Sequence, residues 1–128
     1  MIDQNELISL TNTLLNYISA MSERYAMARE SGKSGDFYAE VKPFADEVKQ
    51  INDVWKSKAA DWIAINRPKN LYIQQIESTH EHIGTISVQA FFPETSKTRF
   101  INLITSSIYV LNQLLEALKE KMSPPSLQ

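Results

Sequence analysis

The chain has 128 residues, a formal net charge of -2 and no cysteine. This length is sufficient for one domain with its own core, so folding needs neither a disulfide nor a structural metal. The lack of cysteine excludes a thiol nucleophile, a zinc–thiolate centre and an iron–sulfur cluster. Because the charge is almost balanced, we expect neither nucleic acid nor an anionic membrane surface as a partner.

The start of the chain lacks the basic residues and the apolar run of a secretory signal peptide. Its longest uncharged stretches, residues 7–22 and 100–115, are too short and too polar to span a bilayer. We therefore expect a cytoplasmic protein without a membrane segment. One domain is predicted over residues 1–128, with a flexible tail at 123–128 that follows from the two prolines there.

The first helix is predicted over residues 3–30. Asp3 serves as its N-cap, and Glu6 completes an approximate capping box. Apolar residues recur at steps of three and four, which places them on one inward face. The members of this face are Leu7, Leu14, Ile18, Met21, Tyr25 and Ala28.

The second helix is predicted over residues 43–65, after a short turn at 36–41. Pro43 disfavours helical geometry at Lys42 but suits the first turn of a helix. We interpret Trp55 and Trp62 as core residues rather than as a ligand cage, because they share the inward face of this helix. That face consists of Phe44, Val48, Ile51, Trp55, Ala59 and Trp62.

Two further helices are predicted over residues 72–91 and 97–122, and Thr95 or Ser96 caps the last one. The third buries Tyr72, Ile76, Ile83, Ile86 and Ala90, and the fourth buries Phe100, Leu103, Ile104, Ser107, Leu111, Leu114 and Leu118. No segment alternates with a period of two, so a sheet is not expected. The pattern predicts an all-α fold, an antiparallel up-and-down four-helix bundle.

Several short motifs, taken in order, resemble the YppE-like family of small proteins from Gram-positive bacteria. The motifs are Asp36-Phe37-Tyr38, Val41-Lys42-Pro43, Trp55, Arg67-Pro68-Lys69 and Arg99-Phe100. The resemblance implies an up-and-down four-helix bundle. It implies no activity and no catalytic residues, because the family is a domain of unknown function.

The only motif with possible metal chemistry is Glu77-Ser78-Thr79-His80. Di-iron bundles use Glu-x-x-His, but they need two such motifs and further glutamates. His80 and His82 are two positions apart, about 200° around a helix, and cannot share one metal. We expect His80 at the edge of the buried face and neither a metal nor another cofactor. Without a nucleophile elbow or a phosphate loop, an enzyme is less expected than a non-catalytic protein.

Uncharged helical segments favour a protein partner or a homodimer, because an unpaired ion is harder to bury than a hydroxyl or an amide. A possible dimer seam consists of Ile101, Ile108, Leu115, Ile8 and Leu15. The same residues also fit the ordinary wide apolar face of a bundle helix. On the second helix, Lys42, Lys49 and Lys56 recur every seven residues with Asp46 and Asp53 between them, and they are interpreted as an ion-paired, solvated face.

The alternative function is that of a small-molecule binding protein or an enzyme, with its pocket at the end where the first and third connections meet. Aromatic residues concentrate there, either as a packed plug or as a pocket with a cationic rim. In the pocket interpretation, an anionic or aromatic ligand is held by five residues. Tyr38, Lys42 and Arg99 supply the polar contacts, and Phe37 and Phe100 supply the walls.

Overall fold

The computed structural model describes residues 3–122. It contains four α-helices: α1 (Gln4–Ser31), α2 (Lys42–Asn66), α3 (Ile73–Gln89) and α4 (Lys97–Met122). Each helix packs against the next one in the chain, and α1 also packs against α4, which closes the ring. The predicted all-α four-helix bundle is therefore confirmed. The tail predicted at 123–128 lies outside the described residues.

The starts of α1 and α4 have the predicted N-caps, but the capping box predicted at Glu6 does not form. The Asp3 carboxylate accepts hydrogen bonds from the backbone N–H groups of Asn5 and Glu6. The Glu6 carboxylate pairs with Lys58 of α2 at 3.4 Å instead of completing the predicted capping box. At the start of α4, the Ser96 hydroxyl accepts from the Arg99 N–H at 3.3 Å, so Ser96 is the cap.

The inward stripes of the four helices meet in one apolar core. Trp55 and Trp62 are both buried, which confirms that they are core residues. Tyr72 is exposed, so its predicted place in the core is wrong. It precedes the first turn of α3 with an extended backbone, and the helical phase that would turn it inward does not apply there. The neighbouring Leu71 is buried instead.

The predicted turn before α2 is a π-helical turn over Phe37–Val41 that runs directly into the helix. Its wide hydrogen bonds link the Val41 N–H to the Asp36 carbonyl and the Lys42 N–H to the Phe37 carbonyl. Lys42 is helical, contrary to the expectation from Pro43. The hydrogen bond from the Lys42 N–H to the Phe37 carbonyl offsets the steric cost of helical geometry before a proline, and Pro43 lies in the first turn of α2, where its missing N–H is tolerated. Across residues 3–122, no helix has the length and apolar character needed to cross a membrane.

Candidate functional site

The first and third connections meet at one end of the bundle, as predicted. The Gly35 N–H donates to the Phe91 carbonyl at 2.8 Å, and Arg29 Nη1 donates to the Pro93 carbonyl at 3.1 Å. The Tyr25 hydroxyl donates to the Thr95 carbonyl. These bonds fasten the end of α1 and the following connection to the segment that leads into α4.

The two aromatic residues of the π-helical turn face solvent. Phe37 is 51% exposed and Tyr38 is 80% exposed, and their rings contact edge to face with centroids 5.1 Å apart. Glu40 of the same turn forms a bidentate ion pair with Arg24 of α1. Ser22 lies on the flank of α1 that faces α4. Arg24, two positions later and about 200° around the helix, lies on the opposite flank. The ion pair therefore holds the turn away from the α1 flank that faces α4.

The remaining three predicted ligand contacts, Lys42, Arg99 and Phe100, do not line one common groove. Lys42 is exposed and pairs with Asp46 at 2.7 Å. Arg99 is also exposed, one position before Phe100, which is buried. A groove lies at this end between α1 and α4, and of the five predicted site residues only Phe100 lines it.

This α1–α4 groove has a volume of about 510 Å³. Its floor contains the stacked rings of Tyr25 and Phe100, whose centroids are 4.2 Å apart. Within each helix, the lining residues are one, three or four positions apart and therefore share one face. Because α1 and α4 are neighbours, these two faces lie opposite one another. The lining residues are Ser22, Tyr25, Ala26 and Arg29 of α1, and Lys97, Phe100, Ile101 and Ile104 of α4.

The charge on the groove lining is entirely positive. Arg29 and Lys97 are its two charged residues. The Arg29 guanidinium is positioned by the Pro93 carbonyl and lies 6.0 Å from the centroid of the Tyr25 ring. Within residues 3–122, neither cation forms an ion pair with a carboxylate. The groove therefore combines an apolar aromatic floor with two available cations, which suits a ligand that is both apolar and anionic.

Tyr25, Arg29 and Lys97 line the groove but are not among the five residues predicted from the sequence. Ile101 was assigned to the candidate dimer seam, although it lines the groove. A usable signal was present: Tyr25 and Arg29 are four positions apart, as are Lys97 and Ile101. Combining that spacing with the adjacency of α1 and α4 would have predicted the groove.

Most of the candidate dimer seam is already packed within the molecule. Ile8, Leu15 and Ile108 pack against the core, and Leu115 is buried. Ile101 is the exposed member, with 46% of its surface accessible. The wide apolar face explains the first four residues, while self-association through the exposed part of this surface stays a prediction.

His80 lies at the edge of α3 and contacts α2, as its phase predicts. Its Nε2 is 2.7 Å from the Asp53 carboxylate, which also pairs with Lys49 at 2.6 Å. Hydrogen bonds from Lys49 and then from His80 hold the pKa of Asp53 below its usual value. The Lys42–Asp46 and Lys49–Asp53 pairs confirm the predicted ion-paired face for two of its three lysines, while Lys56 forms no ion pair among residues 3–122. In the described part of the chain, no three histidine or acidic residues are grouped so that they could hold a metal.

Most of the chain matches the sequence model of a known bacterial family. The sequence model of a bacterial domain of unknown function (DUF1798) matches residues 11–118. This chain belongs to that family. The uncharacterised protein YppE of Bacillus subtilis strain 168 is 24% identical over 117 residues, which cover 91% of this chain and 95% of that protein. The resemblance noted from the sequence motifs is thereby confirmed.

Solved structures from three bacteria share the fold. A Listeria innocua protein of unknown function matches with a TM-score of 0.88 and 30% identity over 93% of this chain and 95% of its own. The Bacillus subtilis YppE crystal structure matches with a TM-score of 0.90 and 23% identity over 95% and 99% of the two chains. A DUF1798 domain from Staphylococcus aureus gives 0.83 and 22% over 89% and 96%. These likenesses extend to the fold and carry no activity.

Proposed function

We propose that this protein is a non-catalytic interaction module that binds a segment of a partner protein in the α1–α4 groove. The bound segment presents an apolar side chain followed within a turn by a carboxylate. The observation that carries this proposal is the combination of a stacked Tyr25–Phe100 floor with two cations that lack a carboxylate partner among the described residues.

The shape of the groove supports a polypeptide occupant. It is an open channel between two antiparallel helices, the geometry that accepts an amphipathic helix through its apolar face. The apolar anchor would cover Ile101 and the aromatic floor, while its carboxylate would approach Arg29 and Lys97. Charge-assisted hydrogen bonds of this kind add orientation to the apolar contact.

The surface beyond the groove supports the same occupant. Residues 7–22 of α1 and 100–115 of α4 contain no charged side chain, so a partner helix lying along them displaces water from hydroxyl and amide groups rather than from ions. A partner therefore has a long surface available at low desolvation cost along α1 and α4, on the side of the anchor point that leads away from the connections.

A second candidate function is the binding of a small amphipathic anion. It is favoured by the volume of about 510 Å³ and by the aromatic floor, since ligand pockets fall in the range of roughly 300–1,000 Å³. An aromatic or alkyl carboxylate would place its apolar part on Phe100 and its carboxylate between Arg29 and Lys97. This candidate uses the same residues without requiring a partner protein.

Photocrosslinking distinguishes the two. A benzophenone amino acid at position 101, introduced in bacterial cells, should form an adduct with one discrete partner protein. The adduct should be lost in Lys97→Glu and kept in Lys33→Glu, a matched charge reversal outside the groove lining. The purified partner should then bind Lys97→Glu about tenfold more weakly by calorimetry, an effect expected for one charge-assisted contact.

Other outcomes of the same experiment decide against a protein partner. Crosslinking that is equal in both charge variants would contradict binding in the groove. If no protein adduct forms, 4-phenylbutyrate and its neutral alcohol test the small-ligand candidate. Shifts of the Ile101 and Ile104 methyl resonances with the carboxylate, but not with the alcohol, would establish that candidate, and no shift with either would exclude it.

A further inference from the structure

A second groove lies between α2 and α3, on the side of the bundle opposite the α1–α4 groove. Its volume is about 310 Å³. The backbone of α3 is open there, because Gly84 lies in mid-helix and, apart from its own helical turns, no atom of residues 3–122 lies within 4 Å of the position that a Cβ would occupy. The lining residues are Ala45, Asp46, Lys49, Asn52 and Asp53 of α2, and His80, Glu81, Gly84, Ser87 and Val88 of α3.

Nothing in the fold of residues 3–122 requires a glycine at position 84. Its φ angle is not positive, and neighbouring atoms leave room for a side chain. A glycine inside a helix destabilises it by roughly 1 kcal/mol relative to alanine. A position of this kind is useful where another group must approach the backbone closely.

Asn52 provides an independent sign of a ligand. It is only 2% exposed and lines the groove. Its Nδ2 donates to the His80 carbonyl at 2.9 Å, which leaves Oδ1 buried and without a hydrogen-bond partner in the part of the chain that the structure describes. In an α-helix the His80 carbonyl also accepts from the Gly84 N–H, so the carboxamide lies over the turn that Gly84 keeps open. A small rotation of the carboxamide would turn this acceptor toward the groove, where an entering donor would satisfy it.

The charges around the groove favour a hydrogen-bond donor that is positively charged. Three carboxylates line it, from Asp46, Asp53 and Glu81, against the ammonium of Lys49 and the imidazole of His80. Lys42 pairs with Asp46, while Lys49 and His80 pair with Asp53. Glu81 has no ion-pair partner among residues 3–122. A cation that enters the groove therefore meets an unpaired carboxylate on its rim and an unpaired amide oxygen below it.

We propose that the α2–α3 groove binds a guanidinium group, supplied by an arginine side chain of a partner polypeptide. The planar guanidinium carries five N–H donors and can reach a carboxylate and an amide oxygen together, which a single ammonium does less well. The flat group passes over Gly84, where a Cβ would block it. The groove is at the lower end of ligand-pocket volumes, which suits one side chain rather than a whole metabolite.

The probe for this site is the blocked tripeptide acetyl-Gly-Arg-Gly-amide, titrated into the ¹⁵N-labelled protein at low ionic strength. We expect saturable shifts of the Asn52 side-chain amide and of the Gly84 and Val88 backbone amides. The citrulline peptide has the same shape without the charge and should bind at least about tenfold more weakly. Equal shifts with both peptides, or arginine shifts confined to other surfaces, would overturn the proposal.

Two variants in the groove and one control variant outside it separate binding from folding. Gly84→Ala should raise the Tm by about 3 °C, because it restores helix propensity in open space, and should still weaken arginine binding. Glu81→Gln should weaken binding by about tenfold. Glu77→Gln, an exposed change on the same helix outside this groove, should leave binding unchanged. If the arginine peptide binds Gly84→Ala as tightly as the wild type, the open backbone has no role in binding and the proposal is contradicted.

Discussion

Trp55 donates its indole N–H to the hydroxyl of Thr11 at 3.0 Å, and that hydroxyl donates in turn to the Leu7 carbonyl at 2.7 Å. Both side chains are buried, so this short relay links α2 to α1 through the core. Trp62 is also buried, yet its indole N–H has no hydrogen-bond partner within residues 3–122. Both tryptophans lie on the inward face of α2, but among the described residues only the indole N–H of Trp55 has a hydrogen-bond partner.

Replacing Thr11 with valine should lower the free energy of unfolding by about 1–3 kcal/mol, since it leaves the Trp55 N–H buried without a partner. Thr11→Ser keeps the hydroxyl and should lose less. Urea unfolding at neutral pH measures both.

As a matched comparison, Trp55→Phe should destabilise the protein more than Trp62→Phe, because only the former breaks a hydrogen bond. Equal losses from the two tryptophan changes would argue against the relay.

Gly35 fastens the first connection to the third, and alanine there should destabilise the fold by about 1–3 kcal/mol. A Cβ at this position would lie 2.9 Å from Phe91 Cδ1 and 3.1 Å from Phe91 Cβ. The connections would have to separate and weaken the bond from the Gly35 N–H to the Phe91 carbonyl. Thermal unfolding checks the loss, with the exposed Ser34→Ala as control. An unchanged Tm in Gly35→Ala would mean that the contact is relaxed easily.

Glu40 should make stability depend on pH. Its hydrogen bond with Arg24 lowers the pKa of this carboxyl below its usual value. The folded protein therefore binds this proton less readily than the unfolded chain does. The stabilisation is complete above the usual glutamate pKa of about 4.3 and is lost as the pH falls through the lower folded value.

Glu40→Gln provides the test of that dependence. The wild type should be more stable than the variant at pH 7 by less than about 1 kcal/mol, because the pair is partly solvated. The difference should shrink toward zero as the pH falls below about 4. Urea unfolding across this range measures it. A difference that stays constant with pH would indicate that the charge of Glu40 does not contribute.

Self-association is best tested at Ile101 rather than at Ile108. Ile108 packs against the core, so a glutamate there would also disturb folding. Ile101 is exposed and lies on the same flank of α4. If α1 and α4 form a dimer seam, Ile101→Glu should convert a dimer to a monomer in size exclusion with light scattering. A wild-type monomer at high concentration would rule out the dimer.

The sequence alone determined the four helices, most of their ends and most of the core. These features depend on local physics: glycine and proline break helices, caps satisfy free N–H groups, and a period of 3.6 residues selects the inward face. The burial of Trp55 and Trp62 followed from that period. The helical period does not apply at Tyr72, whose backbone is extended, and there it wrongly predicted a buried side chain.

Tertiary structure decided which side chains share a site. Phe37 and Phe100 both belong to the end where the connections meet, but the Arg24–Glu40 pair holds the π-helical turn away from the groove that Phe100 lines. Arg29 and Lys97 are distant in sequence and meet only because α1 and α4 are neighbours at the closing edge of the bundle. Helical periodicity fixes the phase of each helix, whereas the pairing of flanks depends on packing between residues remote in the chain.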